Sequence, residues 1–291
     1  MRSGRCGQAD GFGVAGMKNR PMTRVNLDKA IARMAGDDPR LTVDMRMSMA
    51  NAIVGQFLPE GVVKGGTSLK FRFGEGHARY TLDLDTAWKT DLDTFLSKFR
   101  RNLANGWEGF SGELIVRPQA SPRAIPFEYV MQPCDVRLSY MGRSWCTIRL
   151  EVGHNEVGDA DEAEMTPVPE DLAAHFRELC FPVPGSLPLM KIPFQIAQKL
   201  HGATGEGSRR AHDLIDLQLI ADAYEIDLKE TRDVCERLFR YRKCQLWPPM
   251  VTKVDGWDDI YLTQKLNLPV LPTVDQAIEW ANGLIARIAG A

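Results

Sequence analysis

The sequence has no long apolar run: nowhere does it approach the ~20 consecutive apolar residues that a membrane-spanning helix needs. It also has little net charge. With 36 Lys and Arg against 38 Asp and Glu, the balance is −2, so no global basic field advertises nucleic acid. Contact with RNA must then come from local patches. Cysteine is sparse. The six residues (Cys6, Cys134, Cys146, Cys180, Cys235, Cys244) form no Cys-x-x-Cys pairs and have no histidines at zinc spacing, which argues against a zinc ribbon or a disulfide scaffold. Histidine is scarce too, and His77, His154, His175, His201 and His212 show no metal-ligand spacing. A reduced, cytosolic protein without a membrane anchor is the expectation.

What remains is ordinary globular material. At 291 residues, 44% hydrophobic and 25% charged, the chain can hold two modest domains or one large one. Residues 1–24 are glycine-rich, carry Arg2 and Arg5, and lack both a periodic apolar pattern and the apolar core of a secretory signal. They read as a disordered extension, with Met17 and Met22 as candidate starts.

Helical spacing predicts helices over Asn26–Met34 and Thr42–Leu58; in the second, Met45, Met49, Ala52 and Ile53 form a core stripe. A short strand follows at Gly61–Lys64, then a strand over Arg79–Asp85. Leu92–Leu103 reads as an amphipathic helix with Phe95, Leu96, Phe99 and Leu103 on one face. Strands are expected at Glu113–Arg117, Ile125–Met131, Asp135–Tyr140 and Ser144–Val152, the last two joined by a Met141-Gly142-Arg143 turn. An Asp-, Glu- and Pro-rich stretch, 158–170, reads as a linker. Beyond it, helices are expected at Asp171–Cys180, Phe194–Gly202, Ser208–Tyr224, Asp227–Tyr241 and Val274–Ile288. The architecture expected is therefore an α/β sheet domain over 25–157, then a helical domain over 171–291, with the active cleft between them.

The chemistry concentrates between Gly65 and Asp85. In Gly65-Gly66-Thr67-Ser68, the glycines permit positive φ and close backbone approach, successive N–H groups can form a concave anion site, and the hydroxyls add donors. Such a turn alone is weak, since loops use these residues everywhere. Asp83 and Asp85 sharpen it. Residues two apart on a strand face one way, and aspartate is disfavoured in strands, so two facing together require a reason. Unscreened, neighbouring carboxylates raise each other's pKa; bound Mg²⁺ relieves that and prefers carboxylate and phosphate oxygens at roughly 2.1 Å. An exposed acidic edge strand is the bland alternative.

Gly-Gly-Thr-Ser-Leu followed by Arg79-x-Thr81-x-Asp83-Leu84-Asp85 resembles the AbiEii/AbiGii nucleotidyltransferase toxins, a branch of the DNA-polymerase-β-like nucleotidyltransferase superfamily. Two later segments are similar as well: Ala197-Gln198-Lys199-Leu200, and Arg209-Arg210-Ala211-His212-Asp213-Leu214-Ile215-Asp216. The likeness covers about residues 40–225, with the motifs in family order. His212 and Ile215 depart from the family's usual basic and aromatic residues.

The resemblance implies a mixed-sheet nucleotidyltransferase domain before a helical one, with Mg²⁺ or Mn²⁺ as cofactor and a nucleoside triphosphate as substrate. It casts Asp83, Asp85, Lys199 and Asp213 as catalytic, with Asp216 as a further candidate beside them. It makes Gly65, Gly66, Thr67, Ser68 and Arg79 nucleotide-binding, and Asp83, Asp85 and Glu151 metal-binding. For Glu151 the alternative is a solvent-facing residue paired with Arg149. The implied biology is the toxin of a toxin–antitoxin or phage-defence pair, with a cognate antitoxin and an RNA acceptor, tRNA first. A protein-nucleotidylating enzyme or phosphotransferase on the same site, or a non-catalytic binding module, stays open. Arg209, Arg210, Arg237, Arg240, Arg242 and Lys243, beside Phe239 and Tyr241, offer a local basic patch for RNA.

Overall fold

The computed structural model describes residues 19–81, 83–89, 91–119 and 130–291. Among these it contains ten α-helices and a seven-stranded mixed sheet. In chain order the elements are α1 (Arg24–Met34), α2 (Pro39–Phe57), β1 (Gly61–Lys64), α3 (Gly65–Phe73), β2 (Leu84–Trp88), α4 (Leu92–Asn105) and β3 (Phe110–Val116). Then come β4 (Gln132–Tyr140), β5 (Arg143–Gly153), β6 (Glu164–Thr166), α5 (Glu170–Glu178) and β7 (Leu187–Leu189). The chain closes with α6 (Ile192–Ala203), α7 (His212–Ala223), α8 (Leu228–Arg242), α9 (Trp257–Lys265) and α10 (Val274–Ala289).

Local chemistry explains the helix boundaries. The Asp38 side chain accepts from the N–H groups of Arg40 and Leu41, and Pro39 opens α2 with its φ already helical. Asp91 caps α4 through Thr94, and Asp227 caps α8 through Glu230. The stripes read from sequence point inward: Met45, Met49 and Ile53 of α2, and Phe95, Phe99 and Leu103 of α4, are buried.

The sheet order is β3-β4-β5-β2-β1-β7-β6. β4 and β5 form the expected hairpin; β2 runs parallel to β5, and β1 antiparallel to β2. One apolar core lies between the sheet and α1, α2, α4 and α5, and a second is built by α6–α10. α3 joins them, since its Leu69 belongs to the helical core and its Phe71 to the sheet core. Fully burying such a side chain is worth about 1.5–3 kcal/mol, so the helix that opens at Gly65 is anchored on both sides.

Several expectations change. The second predicted strand is Leu84–Trp88, shifted along from Arg79–Asp85; residues 79–81 are irregular, and Asp83 sits just ahead of the strand. The Gly-Gly-Thr-Ser segment is the first turn of a nine-residue helix. Of the Ile125–Met131 strand, 125–129 lie outside the described residues, and pairing resumes only at Gln132. Within 158–170, Asp159 and Ala160 are buried and β6 pairs with β7, so the sheet takes strands from both sides of that stretch. Of the N-terminal extension, 1–18 lie outside the described residues. Residues 19–24 are placed: Arg20 bonds to Glu108, and the Tyr140 hydroxyl donates to the Pro21 carbonyl at 2.5 Å.

Candidate active site

The site forms where three neighbouring strands line up their charged residues. Lys64 ends β1 and is the register partner of Asp85 on β2; Asp85 is in turn the partner of Glu151 on β5. Residues directly opposite share a face, so Lys64, Asp85 and Glu151 make one row across the sheet. Asp83, two residues before Asp85, adds an exposed carboxylate at its end.

Packing presses this row against the start of α3. Gly65 has φ +67°, the left-handed region that favours glycine, and an added Cβ would stand 2.2 Å from Asp85 Oδ2. A β-carbon on Gly66 would stand 2.8 Å from Arg79 Nη2. Gly65 is therefore required by its backbone and by close approach, and Gly66 leaves room for the Arg79 guanidinium. The N-cap residue of α3 is Lys64, which has no side-chain acceptor to offer, so the helix's first N–H groups carry no such cap. A positive helix end, bare of side chains, thus faces the carboxylates. The hydroxyls behind it are engaged: Thr67 Oγ1 donates to the Asp83 carbonyl at 2.6 Å, and Ser68 Oγ accepts from Gln195 Nε2 at 2.8 Å. Thr67 thereby fixes the segment carrying Asp83, and Gln195 docks α6 onto α3.

Across from the row lies a chain of buried ion pairs. Arg79 Nε bonds both oxygens of Asp216, at 3.1 and 3.0 Å. Lys199 Nζ is 2.5 Å from Asp216 and 3.4 Å from Asp213. Arg210 Nε closes the chain onto Asp213 at 2.6 Å. Asp213 and Asp216 are almost wholly buried. The shorter of the two lysine contacts is to Asp216, so this residue, ranked below Asp213 from sequence, anchors both Lys199 and Arg79.

Electrostatics separates the two acidic groups. Burial raises the Asp85 carboxyl above its ordinary value and Asp83 adds repulsion, against Lys64, Arg210 and Lys199, which lower it. Burial, then Asp85 and Asp83, raise Glu151 in the same way. For Asp213, burial also pushes upward, but Lys199 and Arg210 overcome it and hold the carboxyl well below the usual range. Among the described residues, no three His, Cys, Asp or Glu side chains converge closely enough to enclose a metal ion unaided. The donor set fits one chemically: the hard carboxylate oxygens of Asp85 and Glu151, raised first by burial and then by neighbouring carboxylates, are what a divalent cation relieves.

Of the basic patch, Arg210 is paired with Asp213, Arg237 donates to the carbonyls of Asp233 and Val157, and Arg242 pairs with Glu156. Arg240 and Lys243 line a hollow of about 660 Å³ with Phe239 and Trp247; it shares no lining residue with the carboxylate row. His201 and His212, both pushed down to about 4 by burial, are neutral near physiological pH and take no part. Lys64 was missed from sequence, although it stands directly before Gly-Gly at a strand end. Gln195 carries no local signal of its role, because its partner Ser68 lies far from it in the chain.

Comparison with known proteins identifies the family and the fold. The sequence model of a family described as nucleotidyl transferase AbiEii toxin, type IV TA system, matches residues 49–281. No curated protein matches the sequence. Among solved structures, the chain is similar to MenT4, a nucleotidyltransferase toxin of Mycobacterium tuberculosis, at 18% identity and a TM-score of 0.59, covering 91% of this chain and 90% of that one. JHP933 of Helicobacter pylori aligns at 17% identity over 84% and 89% of the two chains, with a TM-score of 0.41. The likeness to MenT4 speaks for the fold, and that to JHP933 is too loose to carry an argument.

Proposed function

The chain belongs to the AbiEii family, the nucleotidyltransferase toxins of type IV toxin–antitoxin systems, and from that premise we propose that it transfers a nucleoside monophosphate from a nucleoside triphosphate to a hydroxyl of RNA, with tRNA as the acceptor. The observation that carries the reading is the Asp85–Glu151 pairing, with Asp83 beside it, set against the uncapped start of α3. The N–H groups of Gly65 and Gly66 and the helix dipole receive the phosphates. Arg79, held by Asp216 over Gly66, adds a fixed guanidinium at that helix end. Lys199, held by Asp216 and Asp213, supplies positive charge as pyrophosphate leaves. Asp83, Asp85 and Glu151 would hold Mg²⁺ or Mn²⁺. When bound, such a cation lowers the pKa of an attacking hydroxyl and screens phosphate charge.

An RNA acceptor is supported by the exposed Arg240 and Lys243 beside the half-buried Trp247, a setting for phosphates and a stacked base, while Phe239 is buried behind them. A cognate antitoxin follows from the family. No helix among the described residues is long and apolar enough to cross a membrane.

The test is to incubate the protein with Mg²⁺, total tRNA and each α-labelled nucleoside triphosphate in turn, beside an Asp83→Asn/Asp85→Asn control. Label in RNA from the wild type alone is the expected result, and it names the nucleotide. Label in protein but not in RNA would replace the acceptor, and no label in either would contradict transfer by this site.

A further inference from the structure

The site holds four cations, and three of them are already committed. Arg79, Lys199 and Arg210 are each bridged to Asp213 or Asp216. Lys64 forms no close ion pair among the described residues, yet it is 8% exposed, and few lysines are so buried without a partner. Its ammonium lies over Gly153, where an added Cβ would stand 2.6 Å from Nζ. Gly153 is two residues beyond Glu151 on β5, on the same face. Lys64 therefore leans from β1 across β2 to β5, diagonally from the row that contains Asp85 and Glu151 toward the next same-face pair, Ala87 and Gly153. The missing side chain at position 153 makes the seat.

Lys64 also opposes the rise of three acids. It is the largest influence lowering Asp85, Glu151 and Asp159, each of which burial drives upward. Asp159 is itself engaged, accepting from the Glu156 N–H at 2.9 Å and Gln198 Nε2 at 2.7 Å. A buried ammonium among carboxylates, not locked onto any of them, is a countercharge for the whole row.

We propose that Lys64, seated over Gly153, is a positioning residue that supplies cationic charge to the carboxylate row and makes divalent-cation binding depend on the nucleotide. The inference rests on reading Asp83, Asp85 and Glu151 as the cation site. With only carboxylates present, a divalent ion meets the repulsion of a fixed like charge at short range in a poorly screened setting. A triphosphate at the start of α3 brings the negative charge that offsets Lys64. Cation and nucleotide then bind cooperatively, and by linkage each tightens the other by the same factor. The free enzyme holds its acidic row together without a metal, and the competent arrangement assembles when the triphosphate is present.

The experiment is Mn²⁺ titration of the full chain, following free Mn²⁺ by electron paramagnetic resonance, with and without a non-hydrolysable triphosphate analogue. Wild type should bind Mn²⁺ weakly alone and about tenfold or more tightly with the analogue. Lys64→Met should bind Mn²⁺ alone about tenfold more tightly, so that the nucleotide effect, corrected for the Mn²⁺ that the analogue chelates without protein, shrinks by about the same factor. Lys64→Arg, which keeps the charge, should restore the coupling. Gly153→Ala fills the seat while retaining the ammonium and should fall between the two, which keeps the test alive if Lys64→Met fails to fold. Unchanged coupling in Lys64→Met and Gly153→Ala would overturn the proposal, as would Lys64→Arg behaving like Lys64→Met. Wild type that binds no Mn²⁺ in either condition, or binds it undiminished after Asp83→Asn/Asp85→Asn, would sink the cation-site reading and the proposal with it.

Discussion

The molecule holds two sets of acidic side chains that a sequence writes with the same letters, and it treats them in opposite ways. The row on the sheet, Asp83, Asp85 and Glu151, gathers like charges with one loosely held lysine, and its buried members are driven toward the protonated form. In the helical half, Asp213 and Asp216 are more deeply buried, yet each is matched by cations at hydrogen-bonding distance. The first arrangement is unsatisfied, and in the proposed reading a cation completes it. The second is satisfied and serves to aim Lys199 and Arg79. Unbalanced charge near a surface marks where chemistry acts; balanced charge in the interior marks what holds the chemistry in place.

The comparison breaks most visibly at its catalytic end. Asp85→Asn should lower nucleotidyl transfer by about 10²- to 10³-fold or more, while its melting temperature stays level or rises because a like-charge repulsion has gone. Transfer rate and thermal melting of one preparation check both halves. Asp216→Leu should act on stability first and lose activity through it and through the freed Arg79 and Lys199. It leaves Arg79 without its carboxylate and strips Lys199 of its closer partner, and breaking a buried pair of this kind costs about 3–5 kcal/mol, read from urea unfolding. Ser68→Ala should cost about 1 kcal/mol, since Gln195 Nε2 loses one hydrogen bond and keeps that to the Met190 carbonyl.

The smallest effect concerns pH. Burial lowers His201 and His212 to about 4 from an ordinary value of 6.5, so the folded state favours their neutral forms. Their contribution is intact above the unfolded value and is lost as pH falls from 6.5 toward 4. Asp159, raised to about 7, runs the other way, its contribution being lost as pH rises through that value. His201→Gln should therefore shrink the drop in melting temperature between neutral pH and about pH 5. An unchanged drop would remove His201 from the account.

How much of this was legible in sequence follows from where the signal is local. The α2 and α4 stripes and the β4–β5 hairpin rest on periodicity and turn chemistry, and the structure has the corresponding elements. The Arg79–Asp85 strand was misplaced because alternation of polar and apolar residues does not say where pairing begins; β2 pairs with β1 and β5 only from Leu84. The helical nature of Gly65–Phe73 was hidden by its glycines, whose low helix propensity is overridden by Leu69 and Phe71 packing into two cores. β6 and β7 are three residues each, too short for any period. The seat of Lys64 over Gly153 joins residues far apart in the chain and exists only once the register is set.

The most direct test of the central contrast is to locate the cation. Anomalous scattering from crystals grown with Mn²⁺ and a non-hydrolysable triphosphate should place manganese among Asp83, Asp85 and Glu151, and none at Asp213 or Asp216. Manganese bound to Asp213 or Asp216, or a triphosphate complex whose carboxylate row holds no metal, would contradict the account.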